Sequence, residues 1–248
     1  MTRYRFNAIK GNTLRAVDGE IGNVWDLLFE DAAWKIQYMV ADTGNWLPGR
    51  RVLLLPSVLK KPDWKTGDLP VDLTREQIKN SPDINTDKPV SLQMQEKLVD
   101  YYGWPSLQLY PYWPLAGEYV SPPTLNPAIP LPTEPPPGEP LLRSCREILR
   151  YSIEGRDGEI GSVDDIIINT VDWKVSLVVV ETGGWLTGRK ILFSPSEIRK
   201  ISWSDRSLLV HLFREQVQGS PEYVADDPID AEFEKRLQEY HGLPPRGP

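Results

Sequence analysis

One cysteine, two histidines and three methionines are all that 248 residues hold of those side chains. The shortage removes several function classes at once. Cys145 has no second thiol with which to close an intrachain disulfide, which points to a reducing compartment. A single Cys with His211 and His241 cannot assemble a four-ligand zinc set. No Gly-x-Ser-x-Gly, Walker A or Gly-x-Gly-x-x-Gly sequence occurs, and the acidic residues show no Ca²⁺-loop spacing. The chain therefore reads as non-enzymatic, with no cofactor, no metal and no catalytic residue expected. A basic excess is missing as well: the net charge is −7, which argues against a nucleic-acid partner. Long apolar runs are also missing. The longest aliphatic stretch, Leu177-Val178-Val179-Val180, is far too short to span a bilayer, and Met1 to Phe6 hold no apolar signal core. The expectation is a cytoplasmic protein without membrane insertion.

What is present is present twice. Asp18-Gly19-Glu20-Ile21-Gly22 returns as Asp157-Gly158-Glu159-Ile160-Gly161, and Thr43-Gly44-Asn45-Trp46-Leu47-Pro48-Gly49-Arg50 returns as Thr182-Gly183-Gly184-Trp185-Leu186-Thr187-Gly188-Arg189. One offset of 139 residues aligns Ile9–Pro105 with Ile148–Pro244 without a gap, with 36 of 97 positions identical. A period that long is a duplicated domain rather than a solenoid repeat. The division is a first unit at 1–105, a proline-rich linker at 106–140 and a second unit at 141–248. Twelve prolines fall among the 36 residues from Pro105 to Pro140. Proline removes amide donors and fixes φ, so the segment reads as extended and stiff. Its rings, with Trp104 just before it and then Tyr110, Tyr112, Trp113 and Tyr119, either dock on the first unit or serve as ligands for another protein's aromatic groove.

Within each unit the local signals are mostly strand. The Asp-Gly pairs mark hairpins. Ile36, Tyr38 and Val40 alternate with Lys35, Gln37 and Met39, and Val175, Leu177 and Val179 repeat the parity, which predicts a strand with one face toward a core. Val52–Leu55 and Ile191–Phe193 form the next strand, ended by Pro56-Ser57 and Pro195-Ser196. Val71 with Leu73, and Val210 with Leu212, predict a further short one. Gly22 and Gly161 mark bulges at which parity shifts. Thr74-Arg75-Glu76-Gln77 is a capping box, whereas Phe213-Arg214-Glu215-Gln216 has lost its Thr. Met94, Leu98 and Tyr101, repeated as Phe233, Leu237 and Tyr240, place one apolar stripe on a closing helix in each unit.

This ordered set resembles the PRC-barrel family: Asp-Gly-Glu-Ile-Gly, Trp34-Lys35, Asp42-Thr43-Gly44-x-Trp46-Leu47-x-Gly49-Arg50, Pro56-Ser57, then Thr74-Arg75-Glu76-Gln77. That family includes the cytoplasmic domain of the photosynthetic reaction-centre H subunit and the C-terminal domain of the ribosome-maturation factor. The resemblance covers residues 9–105 and 148–244. It implies a mainly β protein of two tandem small PRC-like barrels, each with a short C-terminal helix, working through protein contact. It carries over no catalytic residues.

The candidate protein-binding residues are Trp46, Leu47, Gly49 and Arg50 with Trp185, Leu186, Gly188 and Arg189. A loop-tip Trp between Gly and Arg has the composition of a binding hot spot. The alternative is that the Trp plugs an open barrel end while the Arg pairs with Asp42 or Glu181. Nine Trp are present, six of them in the pairs Trp34/Trp173, Trp46/Trp185 and Trp64/Trp203, which favours core or rim packing. Trp25 faces Asp164 at the matching position, so one surface is apolar in the first unit and acidic in the second. Asp26 and Asp165 sit within apolar strands, where a carboxylate more often accepts loop amides or pairs with Arg than does chemistry. An enzyme would need converging groups, for instance Asp26 beside Arg75. The expectation is an interaction or assembly adaptor for a protein partner, arranged as a homodimer or an intramolecular pseudo-dimer. A carrier with a small molecule or pigment in a barrel mouth or between the domains is the alternative.

Overall fold

The computed structural model describes residues 3–63, 66–81, 142–186, 188–224 and Tyr240. It is mainly β, with a curled half-barrel sheet and a few short helices. The first half contributes β1 (Arg3–Arg5), β2 (Thr13–Ala16), β3 (Gly19–Glu30), β4 (Lys35–Asp42), β5 (Arg51–Leu54) and β6 (Asp68–Pro70). The second contributes β7 (Arg143–Ser144), β8 (Ser152–Glu154), β9 (Glu159–Asn169), β10 (Lys174–Thr182), β11 (Lys190–Phe193), β12 (Ile198–Ser202) and β13 (Ser207–Val210). Under the sequence offset, every strand has its counterpart except β12. At that place the first half has Lys61-Pro62 and only two isolated bridges, Leu59 to Val71 and Asp63 to Asp68. Pro62 has no amide hydrogen to give to a ladder. The linker at 106–140 and the closing-helix stripe, Tyr240 excepted, lie outside the described residues.

Turn chemistry sets the long hairpins. β2 and β3 pair with Ala16 opposite Gly19, so the two-residue loop is Val17-Asp18, one residue earlier than the Asp-Gly pair, and Gly19 opens the strand. The expected bulges are present. Leu14 faces Gly22 and Arg15 faces Glu20, leaving Ile21 over; Ile153 faces Gly161 and Glu154 faces Glu159, leaving Ile160 over. A Cβ on Gly22 would overlap the Asp42 carbonyl, and one on Gly161 the Glu181 carbonyl, so the backbones touch there as only glycine permits.

The single-face reading of β4 needs correction. Register shifts leave Trp25 and Gln37 over between β3 and β4, and Asp164 and Ser176 over between β9 and β10. Each extra residue rotates the strand beyond it. Ile36 therefore joins the main core with Met39 and Ala41, while Tyr38 and Val40 face the other side with Leu28 and Leu53. The second half repeats this: Leu177 and Val179 lie with Ile167 and Leu192, against Tyr223. The short strands predicted at Val71–Leu73 and Val210–Leu212 are also displaced. β6 and β13 run parallel to β2 and β8 and end at Pro70 and Val210, before Leu73 and Leu212.

The halves are joined by exchanged segments. β1 pairs with β9, placing Tyr4 opposite Ile168 and Arg5 opposite Ile167. β7 pairs with β3, placing Arg143 opposite Phe29 and Ser144 opposite Leu28. These are equivalent contacts with the halves interchanged. At the centre β4 meets β10 at Lys35 and Lys174, where Ile36 N–H donates to Trp173 O and Val175 N–H to Trp34 O, both at 2.8 Å. The sheet is thus continuous, β12-β13-β8-β9-β10-β4-β3-β2-β6. Each exchanged strand leads into a four-residue helix, Phe6–Ile9 or Cys145–Ile148, whose apolar residues enter one core shared by both halves. Phe6, Ile9 and Cys145 are fully buried, and side chains of the size of Phe6 and Ile9 contribute about 1.5–3 kcal/mol each.

The buried aspartates hold this exchange. Asp26 Oδ1 accepts the amides of Leu27 (2.7 Å) and Arg146 (2.9 Å), and the Ser144 hydroxyl donates to Oδ2 at 2.5 Å. Asp165 Oδ1 accepts the amides of Ile166 (2.8 Å) and Asn7 (3.2 Å). Each carboxylate thus satisfies an otherwise orphaned amide in the first turn of the helix donated by the other half. No helix among the described residues is long and apolar enough to cross a membrane.

Candidate functional site

The two Trp-Leu-x-Gly-Arg loops are pinned at their bases by a buried threonine. Thr43 Oγ1 donates to the carbonyls of Leu47 and Arg50, both at 2.7 Å. Thr182 Oγ1 donates to Leu186 O at 3.4 Å and Arg189 O at 3.0 Å. Gly49 and Gly188 are exposed at the loop returns, where φ is positive. Leu47 and Leu186 are half-buried, and Leu186 packs on the core.

The arginines do something the spacing did not suggest. Arg50 donates through its two terminal nitrogens to the carbonyls of Lys79 and Ser81. Arg189 donates to Gln218 O at 3.2 Å and Ser220 O at 3.1 Å, and its Nε lies 3.5 Å from Glu222. The Lys79 and Gln218 carbonyls end the helices Arg75–Lys79 and Arg214–Gln218, where no intrahelical amide is left to bond them, and Ser81 and Ser220 lie two residues beyond. The expected pairing with Asp42 or Glu181 is not what forms. Asp42 instead accepts the Gly44 amide at 2.9 Å, and Glu181 is exposed.

The tryptophans are met by a second pair of arginines from those same helices. Trp46 is half-buried against the core, with the Arg75 guanidinium 4.8 Å from its ring centroid. Trp185 is 36% exposed; its indole N–H donates to Ile160 O at 2.8 Å, and the Arg214 guanidinium lies 5.3 Å over the ring. Both arginines are placed by the hairpin aspartates: Asp18 accepts Arg75 N–H at 2.8 Å and Asp157 accepts Arg214 N–H at 3.0 Å. Arg214 Nε also donates to Glu159 O at 2.8 Å, whereas Arg75 Nε is buried with no partner among the described residues. A shallow depression of about 510 Å³ surrounds Trp46, lined by Asp18, Arg75, Glu76 and Lys79. The duplicated Arg-Glu-Gln held the signal for Arg75 and Arg214, but it read only as helix capping.

The rest of the surface separates the halves. Thr74 makes the full capping box with Gln77. Phe213 has no side-chain acceptor, keeps only the Gln216 half of the box through its own amide (2.9 Å), and is 43% exposed, with Arg156 at 5.2 Å from its ring. Trp25 stands between two guanidiniums, Arg51 at 4.1 Å and Arg146 at 3.6 Å; its counterpart Asp164 pairs with Lys190 at 2.8 Å. Trp34 and Trp173 are buried, but Trp203 is 43% exposed on the β12–β13 turn, against the expected rim or core packing; its counterpart Trp64 lies outside the described residues.

The acid candidates do not converge. Asp26 meets Ser144 and Arg146, while Arg75 lies over Trp46. Burial raises the Asp26 carboxyl to about 6 against the lowering effect of its hydrogen bonds, and burial raises Asp165 too. The Cys145 thiol is pushed up by burial and by both aspartates. His211 is exposed, and His241 lies outside the described residues. Among the described residues no group of three or more His, Cys, Asp or Glu is placed to hold a metal ion. A scan against protein-family models finds no match to the chain, and a search of curated proteins finds none either.

Proposed function

We propose that this protein is a non-enzymatic interaction or assembly adaptor, built from two PRC-like barrel units that form an intramolecular pseudo-dimer, with a proline-rich linker between them. It works in the cytoplasm, without a cofactor and without nucleic acid. Its docking elements are the Trp46 and Trp185 loops with their helix partners Arg75 and Arg214. The observation that carries the reading is the arginine-covered tryptophan at the surface of both halves. Aromatic and guanidinium groups side by side, set on a rigid frame, are the side chains that dominate protein interfaces. Exposed Phe213 beside Arg156 enlarges that surface in the second half.

The test is affinity capture from the native cell with Trp46→Ala and Trp185→Ala as controls, each first checked for folding by thermal melting. Trp185 is the more exposed, so Trp185→Ala keeps its fold and loses captured partners. If folded forms of both variants retain the same partners as the parent, the adaptor reading is wrong and the loops serve the fold alone.

A further inference from the structure

The duplication exposes a groove that one half leaves open. At the junction, Arg143 of β7 is 7% exposed, and its guanidinium meets Asp31 at 3.0 Å and the Ile201 carbonyl at 3.3 Å. The residues matching these three are Tyr4, Thr170 and Pro62. There the cation, the carboxylate and the strand are all replaced. A groove of about 750 Å³ lies at that place, lined by all three. Its size falls in the range of small-molecule sites.

The lining has two parts. Tyr4, Leu55, Leu59 and Trp173 supply apolar surface. Lys35 and Lys61 stand at the exposed rim, and neither has an ion-pair partner among the described residues. Lys60 also lines the groove but is paired with Asp72 at 2.7 Å, and the exposed Asp172 is the single carboxylate of the lining among the described residues. On a chain of net charge −7, a lysine rim over an apolar wall is a local reversal of sign.

We propose that this groove binds a small organic anion with an apolar body, an aromatic or medium-chain aliphatic acid. The body lies against Tyr4, Leu55, Leu59 and Trp173, and the acid group takes the Lys35 and Lys61 rim. Apolar contact supplies most of the affinity, while the lysines select charge and orientation. The site is independent of the tryptophan loops and does not rest on the adaptor reading.

The test uses the full chain with two probes, 8-anilinonaphthalene-1-sulfonate by fluorescence and decanoate by calorimetry. One-to-one binding is expected. Lys35→Glu with Lys61→Glu weakens both probes by roughly tenfold or more, while an equal charge change away from the groove, Lys79→Glu with Lys200→Glu, leaves them unchanged. All four lysines are exposed, so both variants fold. Tyr4→Arg with Thr170→Asp rebuilds the Arg143–Asp31 pair in the open half and abolishes binding. Absence of binding by both probes at millimolar concentration overturns the proposal. So does equal loss in the two lysine variants, or binding of a hexaglutamate peptide without binding of decanoate.

Discussion

Phe6 and Cys145 hold the same place in the two halves, as do Trp25 and Asp164, Thr74 and Phe213, and Tyr4 and Arg143. These four differences fall on a frame that is otherwise kept: matching strand registers, the carbonyl-capping arginines, the aspartates that receive the exchanged helices. Contacts with backbone atoms have been retained because both halves present the same backbone. The Arg75–Trp46 and Arg214–Trp185 pairs apart, side-chain contacts have drifted, and they have drifted in sets. Where Trp25 became Asp164, Arg51 became Lys190, turning a cation–π contact into an ion pair. Where Arg143 meets Asp31, the matching positions hold Tyr4 and Thr170. In these two contacts both partners differ together.

The harshest way to break the likeness is at the glycines that let β3 cross β4 and β9 cross β10. Gly22→Ala and Gly161→Ala each place a methyl onto a carbonyl oxygen that belongs to the sheet itself. Each should cost more than about 4 kcal/mol and leave little folded protein. Gly22, with φ of +119°, carries backbone strain in addition, so it is expected to be the worse of the two. Urea titration followed by circular dichroism checks this. A near-parental midpoint for Gly22→Ala would mean that the strands do not approach so closely.

The next contrast concerns the exchanged helices. Phe6→Ala empties a large, fully buried site at a cost of about 3–5 kcal/mol, whereas Cys145→Ala at the matching place removes one sulfur and costs about 1 kcal/mol. Because Phe6 lies in a core made by both halves, its loss should lower hydrogen-exchange protection of β9 as much as that of β3. Protection lost in β3 alone would show that the segments are not exchanged.

A smaller effect comes from Asp26, and its sign is opposite. Its folded carboxyl titrates near 6 against an ordinary 3.8. Between those values the folded chain keeps a proton that the unfolded chain has released. The contribution to stability is therefore greatest below about pH 4, falls as pH rises through the window, and is lowest above about 6. Asp26→Asn copies the protonated form: its oxygen can still accept the Leu27 and Arg146 amides, and its NH₂ can donate to Ser144. The variant should match the parent near pH 4 and exceed it by about 1–3 kcal/mol at pH 7.5. Chemical denaturation at both pH values measures the difference. A variant weaker than the parent at pH 7.5 would show that the ionised carboxylate is needed there.

How far these features could be read from the chain follows from how local they are. The hairpins, the bulges at Gly22 and Gly161 and the Thr74 box were legible, because turn residues and capping residues act within a few positions. The exchange was not. Arg3–Arg5 and Arg143–Ser144 are too short for any period, and their partners lie more than 110 residues away. The same limit hid the cap made by Arg50, whose acceptors Lys79 and Ser81 are 29 and 31 positions on. Alternation misled at Ile36, Tyr38 and Val40, because Gln37 sits in a bulge and nothing in Gln marks one. At the candidate site, retention in both halves singled out the loops. It could not divide their residues into roles: Thr43 and Arg50 hold the loop and helix, while Arg75 lies over the half-buried Trp46 ring.

The gentlest change, Phe213→Thr, bears most directly on what the tryptophan faces do. Thr at this position regains the acceptor that Thr74 has, completing the box with Gln216, and should add about 0.5–1 kcal/mol. The reverse change, Thr74→Ala, should cost a similar amount. Phe213 is exposed and packs with Arg156, so removing its ring uncovers no core. A second half that kept a costly Phe at a cap position is understandable if the ring meets something outside the chain. Phe213→Thr should therefore melt slightly higher than the parent and yet capture less partner. Higher stability with capture undiminished would leave the exposed ring without a binding role and confine docking to the two tryptophan loops.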